Sequence, residues 1–171
     1  MTWRPILKWG DARLEESNAP VVDFDAALSE LIHEMFEVSW KAPGLGLAAP
    51  QIGVNIRLAV LDLSVGKDPD AKLVIANPEI VSQQGREKVE EGCLSFPGMY
   101  TTLERPRQVT VSAYDETGKP FEIEGTGLLA QALCHEIDHL NGVLIVHHLR
   151  GLKRKMFVRK VKRLRESGVW T

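Results

Sequence analysis

The sequence predicts an α+β fold in which mixed or antiparallel β-sheets surround a central helix, with an amphipathic helix near the N-terminus and a basic helix at the C-terminus. Two observations predict this class. Apolar residues recur at helical spacing in three separated segments, and the strand-like runs between the first two segments do not alternate with helices. The 171 residues, 44% hydrophobic and 26% charged, suffice for one globular domain, which we expect to span residues 1–171.

The first predicted helix spans residues 25–40. Its apolar residues repeat at the spacing of one helical face, and they are Leu28, Leu31, Ile32, Met35 and Phe36. Either Asp23 or Asp25 can cap its first turn with a side-chain oxygen. His33 lies off the apolar face, so we expect it at the surface.

Four strand-like runs follow the first helix, at residues 57–63, 72–81, 108–115 and 119–126. The turn residues DETGK separate the last two runs, which predicts a β-hairpin. The central helix then begins after Thr126, a residue type that caps helices, and ends at Gly142. Its many apolar residues indicate that it is largely buried.

The central helix carries the sequence HEIDH at residues 135–139. Since an α-helix has 3.6 residues per turn, His135 and His139 lie about 40° apart on one face, and both imidazoles can reach one metal ion. Glu136 projects from the flank of that face, where it can act as a general base without being a ligand. The alternative is that the two histidines are simply packed, because a short pattern of this kind also recurs by chance.

A catalytic metal site of this type needs a third protein ligand. The sequence positions that usually supply it hold no suitable residue in this chain. The metzincin pattern requires a histidine where this chain has Ile145. A glutamate on a following helix would have to be Glu166, which lies in a basic tail. His147 and His148 follow the sequence VLIV, which we expect to be a strand that leads away from the helix.

The two cysteines, Cys93 and Cys134, are the remaining candidates for the third ligand. Cys134 points about 100° away from His135 on the helix, so we expect it in the core. Cys93 follows Gly92 in an irregular segment that can aim its side chain at an ion. A thiolate and two imidazoles leave one coordination position open, as in metal hydrolases, and we therefore predict Cys93 as the third ligand.

Three segments, GLGLAAPQ (44–51), EGCLS (91–95) and HEIDH (135–139), occur in this order and resemble the three defining motifs of the peptide deformylases. The resemblance covers almost the whole chain. It implies that Cys93, His135 and His139 bind Fe²⁺, which Zn²⁺ or Ni²⁺ can replace. The implied reaction is hydrolysis of the N-formyl group from the initiating methionine of new bacterial proteins, with release of formate.

The same resemblance implies a role for each remaining motif residue. Glu136 acts as the general base and acid of the hydrolysis. The side-chain amide of Gln51 and the backbone N–H of Leu94 donate hydrogen bonds to the developing oxyanion. Backbone groups of the first motif pair with an extended peptide substrate, and the residues implied to line that cleft are Gly44, Leu45 and Gly46.

This chain departs from the family pattern at two places. Many peptide deformylases have an arginine where this chain has Tyr100, which leaves one substrate contact open. The family commonly has an acidic residue and then a basic or aromatic one where this chain has His147 and His148, so the role of these two histidines is also open.

Composition excludes several other classes of protein. No window approaches 18 consecutive apolar residues, and MTWRPILKWGDARL lacks both the apolar region of a secretory signal and an Arg/Ser-rich presequence. We therefore expect a cytoplasmic protein with neither a membrane nor DNA as a partner. The resemblance to the peptide deformylases implies that the cytoplasm is bacterial. Two other functions are compatible with the motifs. One is hydrolysis of a different small amide, and the other is a non-catalytic binding module that a metal ion stabilises. The module is disfavoured because structural zinc sites normally have four protein ligands, whereas three are predicted here.

The tail at residues 150–167 carries nine of the 21 Lys and Arg residues. It is predicted to form a helix whose apolar stripe packs on the domain, and that stripe consists of Leu152, Met156, Phe157, Val161 and Leu164. The basic face can be an ordinary solvated surface. The resemblance instead implies that it contacts the ribosome, where formyl-methionyl nascent peptides emerge, through weak and salt-dependent binding to RNA phosphates.

Overall fold

The structure is a computed structural model that describes residues 3–170. It confirms the predicted α+β class with antiparallel sheets. Its helices are α1 (Ala26–Lys41), α2 (Gly127–Leu140) and α3 (Gly151–Glu166). Its strands are β1 (Gly46–Ala48), β2 (Leu58–Leu61), β3 (Leu73–Gln84), β4 (Glu87–Gly92), β5 (Tyr100–Arg105), β6 (Gln108–Tyr114) and β7 (Pro120–Thr126). A single domain over residues 1–171 stays a prediction.

The strands form a five-stranded sheet, in the order β1-β2-β3-β6-β7, and a two-stranded sheet of β4 and β5. Neighbouring strands are antiparallel throughout. The predicted β6–β7 hairpin is confirmed, and the Asp115 side chain accepts hydrogen bonds from the backbone N–H groups of Thr117 and Lys119 in its turn. The sequence did not predict β4 and β5, because their residues are mostly charged or polar and show no clear apolar alternation.

The five-stranded sheet packs between α1 and α2. Along β2 the side chains alternate, so that Leu58 and Val60 pack in the cluster that includes α1, whereas Ala59 and Leu61 pack in the cluster that includes α2. The predicted stripe of α1 is confirmed, and Asp25 accepts a hydrogen bond from the Leu28 N–H at 2.9 Å as its N-cap. Helix α2 is thereby held at the centre of the molecule by apolar contacts.

The ends of α2 are fixed by local chemistry. Thr126 precedes the first residue as predicted, although its side chain makes no capping hydrogen bond within residues 3–170. At the other end, Gly142 takes the left-handed backbone conformation, with φ of 70°, that ends many helices. The carbonyl of Leu140 accepts hydrogen bonds from Asn18 at 2.9 Å and Arg57 at 3.1 Å. These bonds satisfy a helix-end carbonyl that would otherwise lack a partner.

The strand predicted before His147 is wrong, because residues Ile145–His148 form a 3-10 helix. Ile145 and Val146 are buried in the core. The Leu144 N–H donates to His147 Nδ1 at 2.9 Å, which closes the turn. A run of apolar residues is compatible with either a strand or a buried turn, and here the local hydrogen bond selects the turn.

The apolar stripe predicted for α3 is correct only in part. Phe157 and Val161 are buried and Leu164 is half-buried, whereas Leu152 and Met156 are 72% and 63% exposed. At about 100° per residue, the exposed pair lies roughly 120° around the helix from the buried residues, so the five do not form one stripe. Among the described residues, no helix combines the length and apolar character needed to cross a membrane.

Candidate metal centre and adjoining cleft

Three side chains from two distant segments converge beside α2. Cys93 lies just after β4, and His135 and His139 lie one turn apart on α2. Cys93 Sγ is 3.3 Å from His139 Nε2, which is 3.2 Å from His135 Nε2, and all three candidate ligand atoms lie within 4.8 Å of one another. Two donors on one tetrahedral zinc ion are about 3.3–3.7 Å apart, so the distances from His139 Nε2 to the other two donors fit a shared metal ion. Cys134 lies outside the cluster and is buried in the core.

His135 is backed by a chain of charged side chains. Its Nδ1 lies 2.5 Å from Glu91 Oε1, and the Arg105 guanidinium bonds both oxygens of Glu91 at 2.5 and 2.9 Å. Arg105 also donates to Asp138 at 2.7 Å, and Asp138 contacts His148 Nε2 at 2.8 Å. Glu91 and Arg105 are each only 4% exposed, so the middle of this chain is shielded from water.

The charged chain determines the ionisation of its members. Burial alone would raise the pKa of the Glu91 carboxyl, but hydrogen bonds from Arg105 and His135 lower it to about 2. Burial lowers the pKa of His135, yet Cys93 and Glu91 outweigh burial and raise that pKa well above its ordinary value. Negative partners therefore surround His135, and they favour a positive charge at its position.

His139 has a different environment. It is 1% exposed, and its Nδ1 has no hydrogen-bond partner in the described part of the chain. Burial lowers the pKa of His139 well below its ordinary value. The imidazole is therefore neutral, which is the form that binds a metal ion.

Glu136 lies next to the cluster and is nearly buried, at 4% exposed. Its Oε2 has no partner within residues 3–170, and burial raises the pKa of its carboxyl to about 7. A Cβ atom added to Gly46 would lie 2.8 Å from Glu136 Oε1, so the first motif needs a glycine here for the backbone to approach this carboxylate. The carboxylate of Glu136 is thus packed against the first motif and beside the cluster.

Gln51 and Leu94 present hydrogen-bond donors near the same place. Gln51 lies in the 3-10 turn Ala49–Ile52 and is 1% exposed, and its Nε2 is 3.8 Å from Cys93 Sγ. Within residues 3–170, the backbone N–H of Leu94 makes no hydrogen bond to a protein acceptor. Gln51 is therefore not an ordinary surface residue of a glycine-rich turn.

A cleft of about 640 Å³ opens over the cluster, between β1 and the β4–β5 sheet. The predicted site residues that line it are Gly44, Leu45, Gly46, Gln51, Cys93, Leu94, His135 and Glu136. His139 is the one predicted ligand that does not line the cleft, because it is buried behind the other two. Tyr100 also lines the cleft and is 68% exposed, so its side chain is accessible to a bound molecule.

Sequence reasoning missed two residues of this region, Glu91 and Arg105. Glu91 belongs to the EGCLS segment, so a signal was present, but no role was assigned to it. Arg105 gave no signal, because a charged residue in a polar strand is usually exposed.

Comparisons with known proteins agree with this geometry. The family model described as Polypeptide deformylase matches residues 3–155. A peptide deformylase of Acidobacterium capsulatum is 44% identical over 170 residues, which cover 99% of this chain and 100% of the relative. One from Chromobacterium violaceum is 46% identical, covering 96% and 97% of the two chains. The crystal structure of a peptide deformylase from Legionella pneumophila is similar, with a TM-score of 0.92, 49% identity and 99% of each chain covered.

Proposed function

Because the chain belongs to the polypeptide deformylase family and is an enzyme of that class, we propose that it removes the formyl group from the N-terminal methionine of newly synthesised proteins. The observation that carries the finer proposal is the convergence of Cys93, His135, His139 and Glu136 at one cleft. This arrangement places a candidate general base beside three candidate metal ligands. The reaction breaks the formyl C–N bond and gives formate and a free α-amine.

The donor set fits a divalent metal ion. The three donor atoms lie close enough together to share one ion. The His139 imidazole is neutral, and the negatively charged partners of His135 favour a cation at that position. Such an ion supplies Lewis acidity and lowers the pKa of a water toward neutrality. We propose Fe²⁺ as the resident ion, with Zn²⁺ or Ni²⁺ as substitutes, because a set of one thiolate and two imidazoles accepts all three.

Glu136 is the proposed proton carrier. Its pKa of about 7 without an ion lies close to neutral pH, and a cation at the cluster would lower it and favour the ionised base. Glu136 accepts a proton from the attacking water and returns a proton to the amine nitrogen that leaves. One carboxylate can serve both steps because Glu136 lines the cleft beside the candidate ligands, and its carboxylate makes no hydrogen bond to another side chain within residues 3–170.

Gln51 and Leu94 are the proposed donors to the oxyanion that forms on the formyl oxygen. The Gln51 amide is fixed in a buried position, and the Leu94 N–H has no competing acceptor within residues 3–170. Donors that are already oriented act without reorganisation during the reaction, and the loss of one typically costs about 3–4 kcal/mol in activation free energy.

The backbone of Gly44, Leu45 and Gly46 is the proposed binding edge for the peptide. β1, which begins at Gly46, lies at the edge of the five-stranded sheet, so one side of it is not paired with another strand of that sheet. Gly44 and Leu45 lead into this edge, and bonds from the Gly44 N–H to the Ser39 carbonyl and from the Asp62 N–H to the Leu45 carbonyl hold them in place. An extended peptide can add to such an edge through main-chain hydrogen bonds. Recognition of this kind depends little on the side chains beyond the methionine, as an enzyme that acts on many new proteins requires.

Helix α3 is the proposed contact with the ribosome in a bacterial cytoplasm. All nine Lys and Arg residues in the tail are exposed, whereas Phe157 packs on Phe96 with ring centroids 5.6 Å apart. The helix is therefore anchored through Phe157, while its basic side chains stay exposed around it. Binding to ribosomal RNA through such a face would weaken steeply as salt rises.

Turnover of two blocked peptides tests the proposed activity. Protein purified without oxygen should release the amine from formyl-Met-Ala and not from acetyl-Met-Ala. Glu136→Gln keeps the size of the side chain and the ligands, so it should retain metal but turn over at least about 100-fold more slowly. Equal turnover of the two peptides, or wild-type kcat in Glu136→Gln, would reject the assignment.

A separate test addresses α3. The variant with Lys153, Arg154, Arg159, Lys160 and Arg163 changed to Gln should keep its activity on formyl-Met-Ala. It should no longer sediment with ribosomes at low salt. Equal sedimentation of this variant and the parent would show that the basic face is only a solvated surface.

A further inference from the structure

We propose that Ser95 is a positioning residue whose hydroxyl holds the Gln51 amide in the orientation that donates to the oxyanion. This inference rests on the proposed function of Gln51. Ser95 is the last residue of the EGCLS segment, and neither the metal cluster nor the proton carrier accounts for it. Its hydroxyl oxygen lies 3.2 Å from Gln51 Nε2.

The proposed role of Ser95 is to fix the orientation of the Gln51 side-chain amide. A glutamine side chain can rotate by 180° and exchange its oxygen with its nitrogen, and only the nitrogen can donate. In this structure, Gln51 Oε1 accepts a hydrogen bond from the Ala48 N–H at 2.9 Å, and Nε2 donates to Ser95 Oγ. Each end of the amide therefore meets a protein partner of the correct kind.

These contacts also direct the remaining N–H group. Nε2 carries two hydrogens, and the Ser95 hydroxyl occupies one of them. The other N–H of Nε2 donates to Cys93 Sγ at 3.8 Å, on the side of the metal cluster. Sulfur is a weak acceptor, so an oxygen of a bound substrate can replace it.

Burial prevents solvent from taking the place of the hydroxyl. Ser95 is 0% exposed and Gln51 is 1% exposed. If the hydroxyl were removed, the buried N–H group would lose its acceptor, and rotation of the amide would compete with the productive orientation.

The backbone around the pair is held independently of the hydroxyl. The Leu7 N–H donates to the Gln51 carbonyl at 2.7 Å, and the Trp9 N–H donates to the Ser95 carbonyl at 2.9 Å. One N-terminal segment therefore fixes the two main chains relative to each other. Because that link survives removal of a side-chain oxygen, Ser95→Ala is expected to alter the amide and not the fold of the site.

A double-mutant cycle on Ser95 and Gln51 tests the inference with formyl-Met-Ala as substrate. Ser95→Ala should lower kcat about tenfold, with KM and metal content close to those of the parent. Its unfolding temperature should fall by only a few degrees, because one buried N–H group loses its acceptor. Ser95→Thr keeps a hydroxyl and should remain within about threefold of the parent kcat. In the Gln51→Leu background, Ser95→Ala should cause no further loss, because its effect passes through the amide.

Three results would overturn the inference. A parent-like kcat in Ser95→Ala, an equal loss in Ser95→Thr, or a double mutant whose loss is the product of the two single losses would each show that Ser95 does not act through Gln51. If Gln51→Leu alone kept the parent kcat, the proposed donor role of Gln51 would fail, and this inference would fail with it.

Discussion

The two histidines of α2 lie one turn apart but are held in different ways. His135 Nδ1 is bonded to Glu91, which belongs to a buried chain of charged groups. His139 Nδ1 is buried and has no partner within residues 3–170. The Nδ1 edge of His135 is therefore held by charge, whereas the Nδ1 edge of His139 is held by packing.

Two histidines of one candidate metal site can therefore differ in how much each raises or lowers the stability of the folded protein. A carboxylate behind a ligating histidine fixes its tautomer and raises its basicity. A buried nitrogen with no partner lowers stability instead, and the stability gained on metal binding can offset that loss. We therefore expect the His135 side to be preorganised and the His139 side to depend more on the ion.

The largest effect is expected from Arg105→Ala, which breaks the charged side. The variant leaves the buried Glu91 carboxylate without its main partner, and uncompensated charges of this kind cost about 3–5 kcal/mol. Urea unfolding of the metal-free protein measures the loss. Arg107→Ala is the matched control, because Arg107 is exposed, and its unfolding free energy should stay within about 0.5 kcal/mol of the parent. Similar losses in the two variants would contradict the account.

The next largest effect is expected from Glu91→Gln. The amide keeps the shape of the carboxylate but loses its charge, so it orients His135 less firmly and should lower metal affinity about 10- to 100-fold. Competition with a chelator of known affinity measures this change. Unchanged affinity would mean that packing positions His135 as well, and the contrast between the two histidines would disappear.

Some of this contrast was predictable from the sequence. The HEIDH spacing alone places His135, His139 and Glu136 together, because helical periodicity is a local property. The irregular segment around Cys93 correctly indicated a side chain that could be aimed at them. The roles of these residues stay predictions until they are tested.

The support behind His135 was not predictable. Glu91 and Arg105 meet across two strands whose polar sequence gave no strand signal, and their burial depends on tertiary packing. His148 was left without a role for the same reason, since its contact with Asp138 depends on where the 3-10 turn places it. The α3 stripe failed for a different reason, because helical periodicity alone already separates Leu152 and Met156 from the buried residues of that helix.

A matched pair of leucine variants sharpens the contrast in the metal-free protein. His139→Leu removes the contact of Nε2 with Cys93 Sγ together with a buried Nδ1 that has no partner in the described part of the chain. These two changes offset each other, so its free energy of unfolding should stay within about 1 kcal/mol of the parent. His135→Leu removes the hydrogen bond between His135 Nδ1 and Glu91 Oε1, and this loss should destabilise the protein by about 1–3 kcal/mol. Thermal and urea unfolding compare the two variants, and the reverse order of stability would refute the distinction.

The smallest effect is expected from His148→Ala, at the outer end of the charged chain. The His148 side chain is 31% exposed and Asp138 is 24% exposed, so the contact is partly screened by water and worth no more than about 1 kcal/mol. Metal affinity should change less than about threefold, by the same chelator competition. A loss as large as that of Glu91→Gln would mean that the chain transmits its effect from the surface to the metal site.

Metal analysis of two cysteine variants tests the central claim most directly. Cys93→Ala should purify with little metal and no deformylase activity, because it removes one of three ligands. Cys134→Ala should keep its metal and lose only about 1–2 kcal/mol of stability, since Cys134 is a core residue that is 4% exposed. A full complement of metal in Cys93→Ala would contradict the proposed site.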